Sequence, residues 1–178
     1  MAIRRRTVSD PRPPAEYSPA NAASDARRIA ESRGLNLTPL DVVGLAGSIG
    51  IRVEYLPLAN ETSGFLHRNG SYWTIGVNSL HHPNRQRFTL AHELGHFFLH
   101  RDHGDFEDKA LFRKSLQQDT REVEANDFAS KLLMPENDFR ALAIKHPSNP
   151  KLIASYFGVS ETATKFRADT LGEERIFG

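Results

Sequence analysis

The run Thr89-Leu90-Ala91-His92-Glu93-Leu94-Gly95-His96-Phe97-Phe98-Leu99 lies near the middle of a 178-residue chain and contains the pattern H-E-x-x-H. At 100° per residue, Leu90, Ala91, Leu94, Phe97 and Phe98 cluster on one side of a helix, with His92 and His96 opposite. Such a helix sinks its apolar side into a core and turns two imidazoles, one turn apart, toward a cleft where both reach one metal ion. Glu93 flanks that face, where a carboxylate can hold a water molecule and take its proton. Gly95 costs on the order of 1 kcal/mol inside a helix, so it predicts a second backbone passing close by.

Working outward, composition restricts the chemistry. With 39% hydrophobic and 25% charged residues, the chain can bury a core as one domain with a small appendage. It has no cysteine, which excludes disulfide scaffolds, thiolate metal sites and cysteine nucleophiles. A metal must then be held by imidazole and carboxylate, and eight histidines are available. The net charge of +1 gives no global attraction to nucleic acid or membrane. No apolar run is long enough to span a bilayer. Arg4, Arg5 and Arg6 lead into Pro11, Pro13, Pro14 and Pro19 rather than an apolar segment, so no signal peptide is predicted and a cytoplasmic protein is. Residues 1–20 are predicted to be a disordered tail.

The elements flanking the central helix predict an α+β order, a small sheet followed by helices. Residues 24–35 read as a first helix. Thr38-Pro39 reads as a cap with proline at the first position of a second, and Gly50 closes it. Residues 51–56 alternate as a strand does. Residues 64–67 and 71–77 form two β-type runs around Asn69-Gly70, a hairpin signal. Asn84 is the expected cap of the helix that carries His92. Helices over 120–134 and 136–145 follow, with Pro135 between them.

Two imidazoles leave a catalytic metal site one ligand short. His100 continues the i, i+4 series but lies about 12 Å from His92 along the axis, so it is expected to face solvent, as is His103. The longer H-E-x-x-H-x-x-G-x-x-H pattern fails, with Leu99 in place of the glycine and Asp102, a reserve candidate, in place of the histidine. The next long helix, Arg121 to Met134, offers two glutamates. Glu124 shares a face with Asp127 and Lys131 and is expected in solvent. Glu122 shares the apolar stripe of Ala125, Ala129 and Leu133, where a carboxylate needs a partner and a metal ion is one. The plainer alternative is a capping box between Asp119 and Glu122. Asn126, one turn on, is suited to hydrogen-bond a ligand histidine.

These two segments, residues 88–96 and 122–135, together resemble the ImmA/IrrE family of zinc metallo-endopeptidases, and a looser resemblance runs over about residues 25–171. The resemblance implies a zincin-like α+β core over residues 21–146 with a small antiparallel or mixed sheet. It implies Zn2+ held by His92, His96 and Glu122, with Glu93 as general base, an arrangement also resembling thermolysin-like zincins. It further implies a cytosolic protein substrate, a helix-turn-helix repressor or an antitoxin-like partner in stress response or mobile-element control. The run 72–78 is expected to pair with an extended substrate. Tyr72 and His67 are candidate stabilisers of the oxyanion, and Tyr72 reads equally well as a packing residue.

Residues 147–178 supply the competing reading. A helix, Gly158 at a turn, Ser160 as cap and a second helix make a helix-turn-helix outline, and hence a DNA-binding or partner-binding regulator. The second helix opens with Glu161 and offers only Lys165 and Arg167 as cations, so DNA binding is disfavoured. In the bland version Leu152, Ile153, Tyr156, Phe157, Val159, Phe166 and Leu171 are simply core.

Overall fold

The computed structural model describes residues 18–101 and 116–173. The first helix, α1 (Pro19–Ser32), begins earlier than expected: Ser18 accepts a hydrogen bond from the Asn21 N–H, and Pro19 fills the first turn. Pro19 and Ala20 therefore belong to the helix and not to a tail; residues 1–17, with Arg4 to Arg6, lie outside the described residues, as do Asp102 and His103. The next helix, α2 (Val42–Ser48), starts later than Thr38-Pro39 suggested. Its cap is Asp41, whose carboxylate accepts from the Gly44 N–H at 2.8 Å, and this bond fixes the start.

Three strands follow, β1 (Ile51–Leu56), β2 (Gly64–Asn69) and β3 (Tyr72–Asn78). They form one sheet in the order β1-β3-β2, with β1 parallel and β2 antiparallel to β3. The hairpin stands where Asn69-Gly70 placed it. Asn69 is itself the last paired residue, opposite Tyr72, so the turn is Gly70-Ser71. Because β3 is central, both its sides are taken, and the expectation that it pairs with substrate is corrected. The open antiparallel edge is β2. Ser63, opposite Asn78, accepts its N–H at 2.8 Å. Alternation then turns the N–H and C=O groups of Gly64, Leu66 and Arg68 away from β3, to the side where no further strand lies among the described residues.

Against one sheet face, through buried Ile51, Leu66, Ile75 and Val77, packs α3 (Pro83–His100) with Leu90, Ala91, Leu94 and Phe97. Its cap is His82 rather than Asn84: His82 Nδ1 accepts from the Asn84 N–H, while the Asn84 amide donates to the carbonyl of Val159 at 2.9 Å. Across α3 lies α4 (Leu116–Leu133). As Gly95 predicted, a backbone lies close. A Cβ on Gly95 would meet Ala125 Cα at 3.0 Å and Ala125 O at 3.1 Å. The chain ends in α5 (Glu136–Lys145), α6 (Pro150–Phe157) and α7 (Glu161–Thr170). Gly158 is left-handed between the last two, and Ser160 caps α7. Ile153, Phe157, Val159 and Ala168 join the core cluster that holds Leu90 and Leu94. Leu152, Tyr156 and Phe166, expected as core, are exposed to 36%, 47% and 55%.

Gly64 is the point where β2 presses on α3. A Cβ there would meet Thr89 Cγ2 at 2.5 Å and Gly76 O at 2.6 Å, so something must move. Gly64→Ala is expected to lower the stability measured by denaturant unfolding by about 1–3 kcal/mol, the usual cost of overpacking. An unchanged midpoint would show that the strand gives way freely.

Candidate metal centre

Helical spacing on α3 brings His92 Nε2 to 3.0 Å from His96 Nε2. Glu122, on α4, closes the triangle: its two carboxylate oxygens lie 3.3 Å from His92 Nε2 and 3.4 Å from His96 Nε2. Ligand atoms about 2.0–2.1 Å from a tetrahedral ion stand about 3.3–3.4 Å apart, so the three donors fit the base of such a site. Among the described residues these are the His and carboxylate groups that converge in this way. The side chains are placed as the sequence pattern required. His96 and Glu93 are buried, His92 is nearly so, and Glu122 is about one-third exposed. The capping-box alternative fails on the helix start, since α4 is already formed at Leu116 and position 119 lies inside it.

The electrostatics of the three groups favour a positive charge among them. Hydrogen bonding from His92 and then His96 pulls the Glu122 carboxyl far below the ordinary carboxylate range, against the effect of its burial. Burial works to lower His92, but hydrogen bonding to Glu122, the charges of Glu93 and Glu122, and Asn126 together raise it above the ordinary value. A metal ion would take over the positive role that a proton plays here, releasing that proton on binding.

Asn126 Oδ1 lies 2.9 Å from His92 Nδ1, on the side of the ring away from the cluster. A cavity of about 210 Å3 opens over the site, lined by His92, Glu93, Glu122 and Asn126 and, from the sheet side, by Ser63 and Gly64. Arg85 lines it as well, on the same face of α3 two turns before His92, donating to Ser63 Oγ at 3.0 Å. Its spacing of seven residues from His92 is the sequence signal for that placement.

Tyr72 and His67 are not brought to the site. Register places both on the sheet face opposite the one that carries Leu66 and Ile75, which packs on α3. The Tyr72 hydroxyl accepts from Asn69 Nδ2 at 2.9 Å, and the Arg52 guanidinium lies 4.0 Å from the centre of its ring, so Tyr72 serves as a packing residue at the hairpin end. His67 is exposed. The larger surprise is His100. Expected in solvent, it is 3% exposed, with Nδ1 3.1 Å from His96 Nδ1 and Nε2 2.8 Å from Glu124 Oε2. Burial pushes His100 below the ordinary imidazole value, although the hydrogen bond to Glu124 opposes the shift. Glu124 thus serves α3 as well as solvent, while Lys131 pairs with Asp127 as their shared face suggested.

A profile of the IrrE N-terminal-like domain, a peptidase family, matches residues 46–169. The chain belongs to this family. It is 32% identical over 136 residues to the radiation response metalloprotease IrrE of Deinococcus deserti, covering 72% of this chain and 45% of that protein. It is 33% identical over 88 residues to the metallopeptidase ImmA of Bacillus subtilis, covering 49% of this chain and 51% of that one. The chain thus spans about half the length of the curated relatives it matches. A solved structure titled a Mycobacterium tuberculosis transcriptional regulator shares the fold, with a TM-score of 0.64 and 22% identity, over 89% of this chain and 49% of that one.

Metal binding should be visible as stability. At a free ion concentration about a thousandfold above Kd, a bound metal adds about 4 kcal/mol to unfolding. Calorimetry is expected to show a lower Tm after chelation and recovery when the divalent ion is returned. Equal traces with and without chelator would count against the site.

Proposed function

We propose that the chain is a zinc-dependent endopeptidase, with His92, His96 and Glu122 as the metal ligands and Glu93 as the general base. The observation that carries this reading is the triangle of donor atoms at tetrahedral spacing, with a buried carboxylate beside it in the cavity. Zinc bound there would act as a Lewis acid on the scissile carbonyl and bring the pKa of a coordinated water to about 7. Glu93 takes the proton from the attacking water and hands it to the leaving amine nitrogen, so one carboxylate serves as base and then as acid. Asn126 holds the His92 ring in place. An extended substrate would pair with the outward backbone groups of Leu66 and Arg68 on β2, the strand whose first residue lines the cavity.

The substrate we propose is a protein, a helix-turn-helix repressor or an antitoxin-like partner in the cytoplasm. Family membership and the radiation-response name of one relative support this reading. Among the described residues, no helix is long and apolar enough to cross a membrane.

Glu93→Gln is expected to keep the metal and the fold but lower peptide hydrolysis by about 10²–10⁴-fold, because an amide cannot accept the water's proton. Co-expression with a neighbouring repressor, followed by mapping of Glu93-dependent fragments, checks both the reaction and the substrate. Undiminished cleavage by Glu93→Gln would remove that residue from the mechanism.

The outline formed by α6, Gly158 and α7 keeps a regulator reading open, but its charges speak against DNA. Arg167, counted as a cation for the second helix, is 3% exposed, and its Nε donates to the carbonyl of Met134 at 3.1 Å. Exposed Lys165 is left beside exposed Glu161 and Asp169 on α7. A gel-shift titration is expected to give only weak, salt-sensitive duplex binding without sequence preference. A tight, selective complex at physiological salt would restore the regulator.

A further inference from the structure

Behind His96, away from the cavity, a chain of polar atoms runs out to the surface. His96 Nδ1 faces His100 Nδ1 at 3.1 Å, and His100 Nε2 faces Glu124 Oε2 at 2.8 Å. Both rings are buried, so neither can turn to water for a partner. We infer that Glu124 and His100 form a relay that fixes the tautomer and orientation of His96, making them positioning residues for the metal centre.

The direction of every bond follows from its outer end. A carboxylate only accepts, so the proton on His100 sits on Nε2 and is donated to Glu124. His100 Nδ1 is then an acceptor. His96 Nδ1 must therefore donate to it, which leaves the lone pair of His96 on Nε2. That atom is the one turned toward His92 and Glu122, so the lone pair is presented to a cation held between them and not to the Glu122 oxygens alone. The reverse order would set a lone pair of His100 Nε2 against the oxygens of Glu124 at 2.8 Å, which is repulsive.

His92 receives the same instruction from a different group, with Asn126 Oδ1 at 2.9 Å from its Nδ1. One ligand is thus held by a neutral amide and the other by a charge-backed pair of rings. Ligand histidines ordinarily give their second N–H to a single acceptor. Here an extra imidazole carries the carboxylate's influence one residue further, because Glu124 reaches α3 one turn beyond His96.

The inference rests on His92, His96 and Glu122 being the metal ligands, and the experiment separates the two. The zinc affinity of the full chain is measured at neutral pH by competition with a chromophoric chelator. Wild type is expected to bind about one zinc per chain, and Glu122→Ala to bind far more weakly; a wild type that binds none overturns the ligand reading and the relay together. With wild-type binding established, Glu124→Ala is expected to weaken zinc binding about tenfold, the low end for the loss of an outer partner. Glu124→Gln should recover most of that loss, since its amide oxygen accepts the same bond. Glu124 is partly exposed, so both variants are expected to fold; Glu124→Ala, which leaves the Nε2–H of buried His100 without its acceptor, should lower the Tm of the metal-free chain modestly, and Glu124→Gln should restore it. If His100→Phe folds, adding Glu124→Ala to it should weaken zinc binding no further, because the two residues act in series. A Glu124→Ala affinity within about twofold of wild type, or a Glu124→Gln no better than Glu124→Ala, overturns the relay.

Discussion

The site depends on one close approach, that of α3 and α4 at Gly95 and Ala125. Helical spacing alone delivers His92 and His96 to the same face, but it cannot supply a third donor. That donor comes from another helix, and a carboxylate side chain is short, so the two backbones must nearly touch. With no Cβ on Gly95, Ala125 Cα can lie within ordinary contact of the α3 backbone, and Glu122, about one turn earlier, comes within 3.4 Å of both imidazoles. A glycine that weakens its own helix by about 1 kcal/mol is thus offset by what it allows between helices.

Around that contact the burial is graded in a way that suits a cation. The histidines and Glu93 are almost wholly removed from water, while Glu122 keeps about one-third of its surface. Buried imidazoles beside a carboxylate leave a local charge imbalance that favours a positive species, whether proton or metal. The outward hydrogen bonds of His92 and His96 then decide which nitrogen faces that species. Asn126, His100 and Glu124 all act on the Nδ1 side, leaving both Nε2 atoms pointing inward.

What could be read from the sequence followed the range of the interaction. The phase of α3, the inward turn of Glu122 and the hairpin at Asn69-Gly70 come from local periodicity, and all three stand in the structure. Asn126 was found beside His92 by the same one-turn logic. The errors lie where a distant partner decides. Asn84 carries a good cap side chain, but Val159, far along the chain, offers its amide a carbonyl and His82 does the capping. A helical wheel gives Glu124 to solvent, where 43% of its side chain lies, but it sees only its own helix and misses the bond to His100 on α3. His100 was discounted on its distance from His92, and the same i, i+4 spacing that makes it too far for the ion makes it a neighbour of His96. Tyr72 and His67 failed for a related reason, since a strand's alternation gives two faces but does not say which one meets α3.

The sheet shows the same limit with a functional consequence. Nothing in residues 64–78 reveals that β1 will lie parallel to β3 and make it central. Once it does, the antiparallel edge left open among the described residues is β2, and β2 begins at Gly64, where a Cβ would meet Thr89 and lie 3.7 Å from Glu93 Cγ. A peptide paired along that edge meets outward backbone groups at every second residue, about 6.6–6.8 Å apart. Its residues opposite Gly64 would pass over Glu93, and those opposite Arg68 would lie two such steps away, toward the hairpin. Pairing on β3 could not give that alignment, because both edges of the central strand are already paired, to β1 and to β2. The parallel strand β1, distant in sequence from His92, Glu93 and Glu122, therefore decides which edge of the sheet is left open beside Glu93.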